Sequence, residues 1–185
     1  MKKNVLVFGL IAGLIVSAVM LFNISRCYSN PDFHGNMVLG FLSMFIAFAF
    51  IFVGVNNYRV NYNNGQITFG KAFLIGLYIS LIASTLYVIT WLFTFYLFTP
   101  DFMDIYAAHE IKEVKAHGTQ AEIAETAASM QSYQDMYKNP IMVILLTYME
   151  ILPVGLLVSL ISAFIFWLIG YLKQRAAIKA GTGEI

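Results

Sequence analysis

Four long apolar runs constrain this chain more than anything else in it. Val5–Phe22, Met37–Val55, Ala72–Phe98 and Ile141–Leu172 contain no Lys, Arg, Asp or His, and only one carboxylate, Glu150. A bilayer core about 30 Å thick is crossed by about 20 apolar residues in helix. Lipid offers no partner to backbone N–H and C=O groups, so runs of this kind are helical. A barrel would alternate over segments of about 10 residues, and these runs do not alternate. The expected fold is therefore all-α: a polytopic membrane protein with a four-helix transmembrane bundle, forming one domain over residues 1–185. Composition agrees, with 59% hydrophobic and 11% charged residues against about 25% charged in a soluble domain. The first run follows Lys2 and Lys3, as a secretory signal would. At about 18 residues it is long for a signal core, and no A-x-A site follows, so it reads as a retained helix.

Charge sets the expected orientation. One side collects Lys2, Lys3, Arg59, Lys71, Lys173, Arg175 and Lys179 against one acid, Glu184. The other holds Arg26, Lys112, Lys115 and Lys138 with Asp32, Asp101, Asp104, Glu110, Glu113, Glu122, Glu125 and Asp135. The basic side reads as cytoplasmic, which puts both termini there. Trp167 and Tyr171 anchor the fourth span on that side. Counting about 20 residues outward from them reaches Tyr148, and the same count from Ala72 reaches Trp91. Both helices stay apolar beyond those points, over Leu92–Phe98 and Ile141–Leu146. These turns are expected to protrude and pack on each other.

The loop 99–140 is too long for a structureless connector, and it carries helix signals. Thr99-Pro100 reads as N-cap and N1, Gly118 as a stop, and Thr119 with Glu122 as a capping box. Ile123, Ala127, Met130, Tyr133 and Tyr137 then recur at helical spacing, an amphipathic stripe. The expectation is an extra-cytoplasmic helical hairpin between transmembrane helices 3 and 4. On the opposite side, Asn63-Asn64-Gly65 lies between Tyr58–Tyr62 and Gln66–Phe69. Asn-Gly in that setting predicts a tight, β-like turn. The connector Asn23–Asn36 reads as a loop carrying Cys27, and the tail ending in Gly181-Thr182-Gly183 is expected to fray.

Candidate functional residues are few. Glu150 is the only acid within a span, and Pro153 and Gly155 follow it. An intramembrane carboxylate suggests a proton or cation site, and Pro tends to kink a helix and free a carbonyl. The depth count places Glu150 about one turn from the outer interface, where bonding to Thr, Tyr or water is the simpler reading. His109, Glu113 and His117 fall at i, i+4 and i+8 and carry zinc-type ligands. However, i to i+8 spans about 12 Å, too far for one metal on a straight helix, so a solvated face is expected. Small residues recur in every span, including Gly9-x-x-x-Gly13. They serve either packing within the chain, the favoured reading, or a homo-oligomer face. No metal site, cofactor or nucleic-acid partner is expected: the net charge is +1, Cys27 is the one cysteine, and no P-loop, G-x-S-x-G, H-E-x-x-H or dinucleotide fingerprint is present.

Three stretches carry a family resemblance: Met1–Asn4 with Gly9–Gly13, Asn64–Phe73, and Tyr148–Gly155. The chain resembles the four-span bacterial membrane proteins grouped as domain-of-unknown-function family 4199. The resemblance implies a bacterial inner-membrane protein of the same layout and implies no activity. It coincides with the residues already singled out, Asn64 and Gly65 at the turn, and Glu150 and Pro153 in the fourth span. The functional expectation is a non-enzymatic membrane protein, an interaction or accessory subunit using the outer hairpin, the turn or a homo-oligomer. The alternative is a small oligomeric transporter or channel built on Glu150.

Overall fold

The computed structural model describes residues 1–29 and 37–181. It contains six helices in chain order: α1 (Lys2–Ser29), α2 (Met37–Tyr62), α3 (Phe69–Leu97), α4 (Phe102–His117), α5 (Gln120–Tyr137) and α6 (Pro140–Gly181). Among the described residues there is no strand. Four helices, α1, α2, α3 and α6, are long and apolar enough to cross a membrane. The all-helical, four-span reading is thus met, with each helix running past the apolar run that announced it. Within the connector Asn23–Asn36, residues 23–29 are the last turns of α1 rather than loop, so Cys27 is helical; residues 30–36 lie outside the described residues, as do 182–185 of the tail.

α3 is the central element and packs most extensively on α6 and α1; α2 touches α1, α3 and α6. Lipid tails are as apolar as leucine, so helix association here draws on close van der Waals contact rather than on hydrophobic transfer. The small residues supply it. Gly9 and Gly13 of α1 lie so close to α3 that an added Cβ would stand 2.8 Å from Ile82 and 3.0 Å from Leu86. Gly155 of α6 packs directly on Ser80 of α3, and Gly76 of α3 on Ser159 of α6. These small faces are therefore occupied within the chain. The opposite faces carry exposed apolar side chains such as Leu14, Phe45, Phe93 and Leu157, an outward belt suited to lipid. Asn4, which composition alone does not single out, is buried and donates to the Gly54 carbonyl at 2.8 Å.

The turn between α2 and α3 is fixed but not β-flanked. Tyr58–Tyr62 is the end of α2, and Phe69 opens α3. Asn64 (φ 51°) and Gly65 (φ 78°) are both left-handed, and Gln66 N–H donates to the Asn63 carbonyl at 3.0 Å, as in a type I′ turn. Gly65 N–H also returns to the Arg59 carbonyl at 2.9 Å, tying off the helix end. Asn-Gly chemistry decides the turn, while the flanks follow the long helices they continue. Beside it, Arg59 stacks over Phe166 and Lys71 over Tyr58, at 5.0 and 5.2 Å. Trp167 stacks on Tyr171 on the outer face of α6, in keeping with an interfacial anchor.

α4 and α5 form the expected helical hairpin at the far end. The capping box is present: Glu122 N–H donates to Thr119 Oγ1, and Thr119 N–H to Glu122 Oε2 at 2.7 Å. Gly118 ends α4, where a Cβ would stand 2.6 Å from the Val114 carbonyl. The start of α4 is a correction. Its N-cap is Asp101, not Thr99, because the Thr99 hydroxyl is spent on the Thr94 carbonyl at 3.2 Å, at the end of α3. The same Asx/Thr-Pro signature does work at Asn139-Pro140, where Asn139 Oδ1 accepts from Ile141 N–H at 3.0 Å to open α6. The ends of α3 and α6 pack only in part: Phe95 and Val143 are buried, but Leu97, Phe98 and Ile141 remain exposed. The apolar belt therefore reaches the hairpin end of the molecule.

Candidate functional site

A cavity of about 330 Å³ lies between the long helices and the hairpin. Each helix reaches it through residues at helical spacing, so that one face of each element is committed to it. α1 contributes Val16, Met20, Asn23, Ile24 and Cys27; α2 contributes Gly40, Ser43 and Met44. From α3 come Tyr87 and Trp91, one turn apart, and from α6 Thr147 and Glu150, three residues apart. The hairpin closes it with Phe102, Tyr106, His109 and Glu110 from α4 and Tyr137 from α5.

Glu150 is the chemical centre. The residue is exposed by its accessible surface, although neighbouring helices crowd its carboxyl group, and it lines the cavity. Tyr87, itself buried, donates its hydroxyl to Glu150 Oε1 at 3.3 Å. That is long for a bond to a carboxylate, which favours about 2.5–2.7 Å. The Tyr partner matches the simpler sequence reading. Met149, its neighbour, and Ile141 and Leu145 nearer the helix start are exposed apolar residues. The acid lies ten residues, about three turns, from the start of α6.

The tyrosines above it register the negative charge. The Tyr137 phenol is pushed up to about 12, first by burial and then by the Glu150 carboxylate. Burial, followed by the Glu110 carboxylate, also raises Tyr106. Rings of the wall support each other: Trp91 meets Phe102 edge-on at 5.0 Å, Phe102 stacks on Tyr106 at 6.1 Å, and Phe95 behind them meets Tyr137 edge-on at 5.3 Å. Hydrogen bonds tie the roof down, from Tyr28 to Asp101 at 2.9 Å and from Gln134 to Asp104 at 2.7 Å.

The other sequence candidates separate. Pro153 lies inside α6, which continues through it, and its ring is exposed. Asn64 and Gly65 sit at the opposite end, in the turn. His109 enters the cavity wall with its Nδ1 4.0 Å from Glu110 Oε1, while Glu113 and His117 stay exposed, so the i, i+4, i+8 set does not converge. Among the described residues no three His, Cys, Asp or Glu side chains are placed to hold a metal. Sequence reading missed Tyr87, Trp91, Tyr137 and Cys27 as companions of Glu150. Their only signal was helical spacing within each run, which does not say which faces meet.

Comparison with known proteins gives one family. The family model described as "Protein of unknown function (DUF4199)" matches residues 7–167, which take in α2, α3, the whole hairpin, most of α1 and the first two thirds of α6. No curated protein matches the chain, and no solved structure does.

Proposed function

The chain belongs to the family of proteins of unknown function DUF4199, and from that premise we propose that it is a non-enzymatic binding protein of the bacterial inner membrane. In this reading it takes a small ligand into the Glu150 cavity and presents its occupancy to a partner subunit through the hairpin. The observation that carries it is the cavity's construction: all six helices line it, and α4 and α5 form its roof. A ligand touching every element bears on how the hairpin sits over the long helices. Lys and Arg at the turn end, against the acids of the hairpin, support an orientation with both termini cytoplasmic and the cavity opening outward.

Gly40 provides the test. A Cβ there meets nothing within 4 Å among the described residues, and the residue lines the cavity. Gly40→Phe adds bulk at the cavity wall from a position where the first side-chain carbon is unobstructed. Wild type and Gly40→Phe are purified in gentle detergent and analysed by mass spectrometry. The reading expects a stoichiometric protein partner whose retention differs between the two. A wild-type chain that runs alone, or a partner held equally by both, overturns it.

One observation favours a second reading, a small oligomeric transporter or channel using Glu150. Pro153 removes a backbone bond one turn from the acid and frees the Met149 carbonyl. Backbone carbonyls left free within membrane helices hold ions in transporters, although α6 itself is continuous. Against it, the path beyond the cavity is filled by Phe48, Ile51, Ile79 and the Ser80–Gly155 contact. Reconstituted vesicles decide: proton or cation flux lost in Glu150→Gln would favour transport, and its absence in wild type would remove it.

A further inference from the structure

The chemistry of the cavity wall narrows the class of ligand. Its polar centre is a carboxylate whose one hydrogen bond among the described residues is the long contact from Tyr87. A second carboxylate, Glu110, lines the same space, and no described Lys or Arg does. The segment 30–36 contains no Lys or Arg either. A carboxyl group crowded by helices without a Lys or Arg partner is relieved either by taking up a proton or by a charge of opposite sign that arrives with a ligand.

The remainder of the wall suits a cation with an organic body. Tyr87, Trp91, Phe102, Tyr106 and Tyr137 surround the space, and aromatic rings attract an ammonium placed within about 6 Å of a ring centre. On the α1 and α2 side the wall is aliphatic, through Val16, Met20 and Met44. A divalent metal would find fewer than three described ligands. A phosphate would find two carboxylates, with His109 the one basic side chain among the described residues of the wall and itself beside Glu110.

We propose that the cavity binds the ammonium group of a small organic amine, seated against Glu150 among the aromatic rings, with its alkyl part against the α1–α2 wall. The proposal rests on the reading of the cavity as a ligand site and adds the charge and shape of what enters. A free amine and the ammonium of a lipid headgroup share this chemistry, and the test separates them.

The chain has two tryptophans, and only Trp91 lines the cavity. Trp167→Phe, made on the exposed far end of α6, leaves Trp91 as the sole reporter. The protein is placed in phosphatidylglycerol nanodiscs, free of amine headgroups, and titrated with butylammonium, butanol and butyrate while Trp91 fluorescence is followed. Butylammonium is expected to give a saturable change that butanol and butyrate do not. Glu150→Gln should weaken it at least about tenfold, as loss of one partly desolvated charge partner implies. Tyr137→Leu should weaken it more modestly, and an unchanged elution profile verifies that each variant is folded. Nanodiscs containing phosphatidylethanolamine identify the source: a response already saturated there assigns the ammonium to a lipid headgroup, and an unaltered response assigns it to a free amine.

Equal responses to butanol and butylammonium, both abolished by Gly40→Phe, would leave a binding cavity and overturn the ammonium assignment. The same holds if Glu150→Gln and Tyr137→Leu, both folded, bind butylammonium as wild type does. If no probe gives a response that Gly40→Phe removes, the cavity reading and the ammonium assignment fall together.

Discussion

At Gly155 a single hydrogen atom decides how closely two helices approach. A Cβ there would meet Ser80 Oγ and stand 2.9 Å from Phe48, both fully buried. Gly155→Val is therefore expected to lower stability by about 1–3 kcal/mol, as overpacking does, read as an earlier loss of the monodisperse peak on heating in detergent. Gly65 is a backbone case, since its φ of 78° disfavours any side chain. Gly65→Ala should cost about 1 kcal/mol in the same assay and leave the cavity at the other end untouched. Such residues were partly legible in the sequence. Asn64-Gly65 announced a turn because its chemistry is local. Glu150 stood out because a carboxylate in an apolar run is rare. Its neighbours Tyr87 and Tyr137 could not be found that way, being 63 and 13 positions distant and ordinary in their own surroundings.

At the scale of elements, the hairpin shows which signals survive folding. Thr119 and Glu122 cap α5 as their spacing predicts, since both partners lie within one turn. Thr119→Ala should destabilise the hairpin by about 1 kcal/mol, seen as faster amide exchange at the start of α5. The capping bonds hold the exposed Glu122 carboxyl below its ordinary value. A folded-state value below the unfolded one means that stability is present above the unfolded pKa, about 4.3, and is lost as pH falls through the lowered folded value. Protection of the amides at Gln120–Ile123, measured relative to the intrinsic exchange rate at each pH, should thus fall below about pH 4, and Glu122→Gln should flatten that response. Thr99-Pro100 carries the same kind of signal and fails, because the end of α3 takes its hydroxyl first. The β-like reading of Tyr58–Tyr62 fails for a related reason: α2 runs on to Tyr62 and overrides local alternation.

For the whole molecule, the four spans were legible because length and polarity alone select them, whereas the cavity arises only when six separately readable faces meet. Its place beneath the hairpin brings together a carboxylate of a membrane-spanning helix and the two helices that roof it. The charge asymmetry adds a direction to that arrangement, with the cavity opening away from the basic, turn end. Cys27 is the one cysteine of the chain and lines the cavity, so it reports directly on whether the space is wet and which side it faces. The decisive measurement is its labelling by a membrane-impermeant maleimide in intact spheroplasts, with denatured protein as the full-labelling reference. The account predicts labelling from outside in wild type and strong protection in Gly40→Phe. Labelling that needs access from the cytoplasmic side, or that Gly40→Phe leaves unchanged, would contradict it.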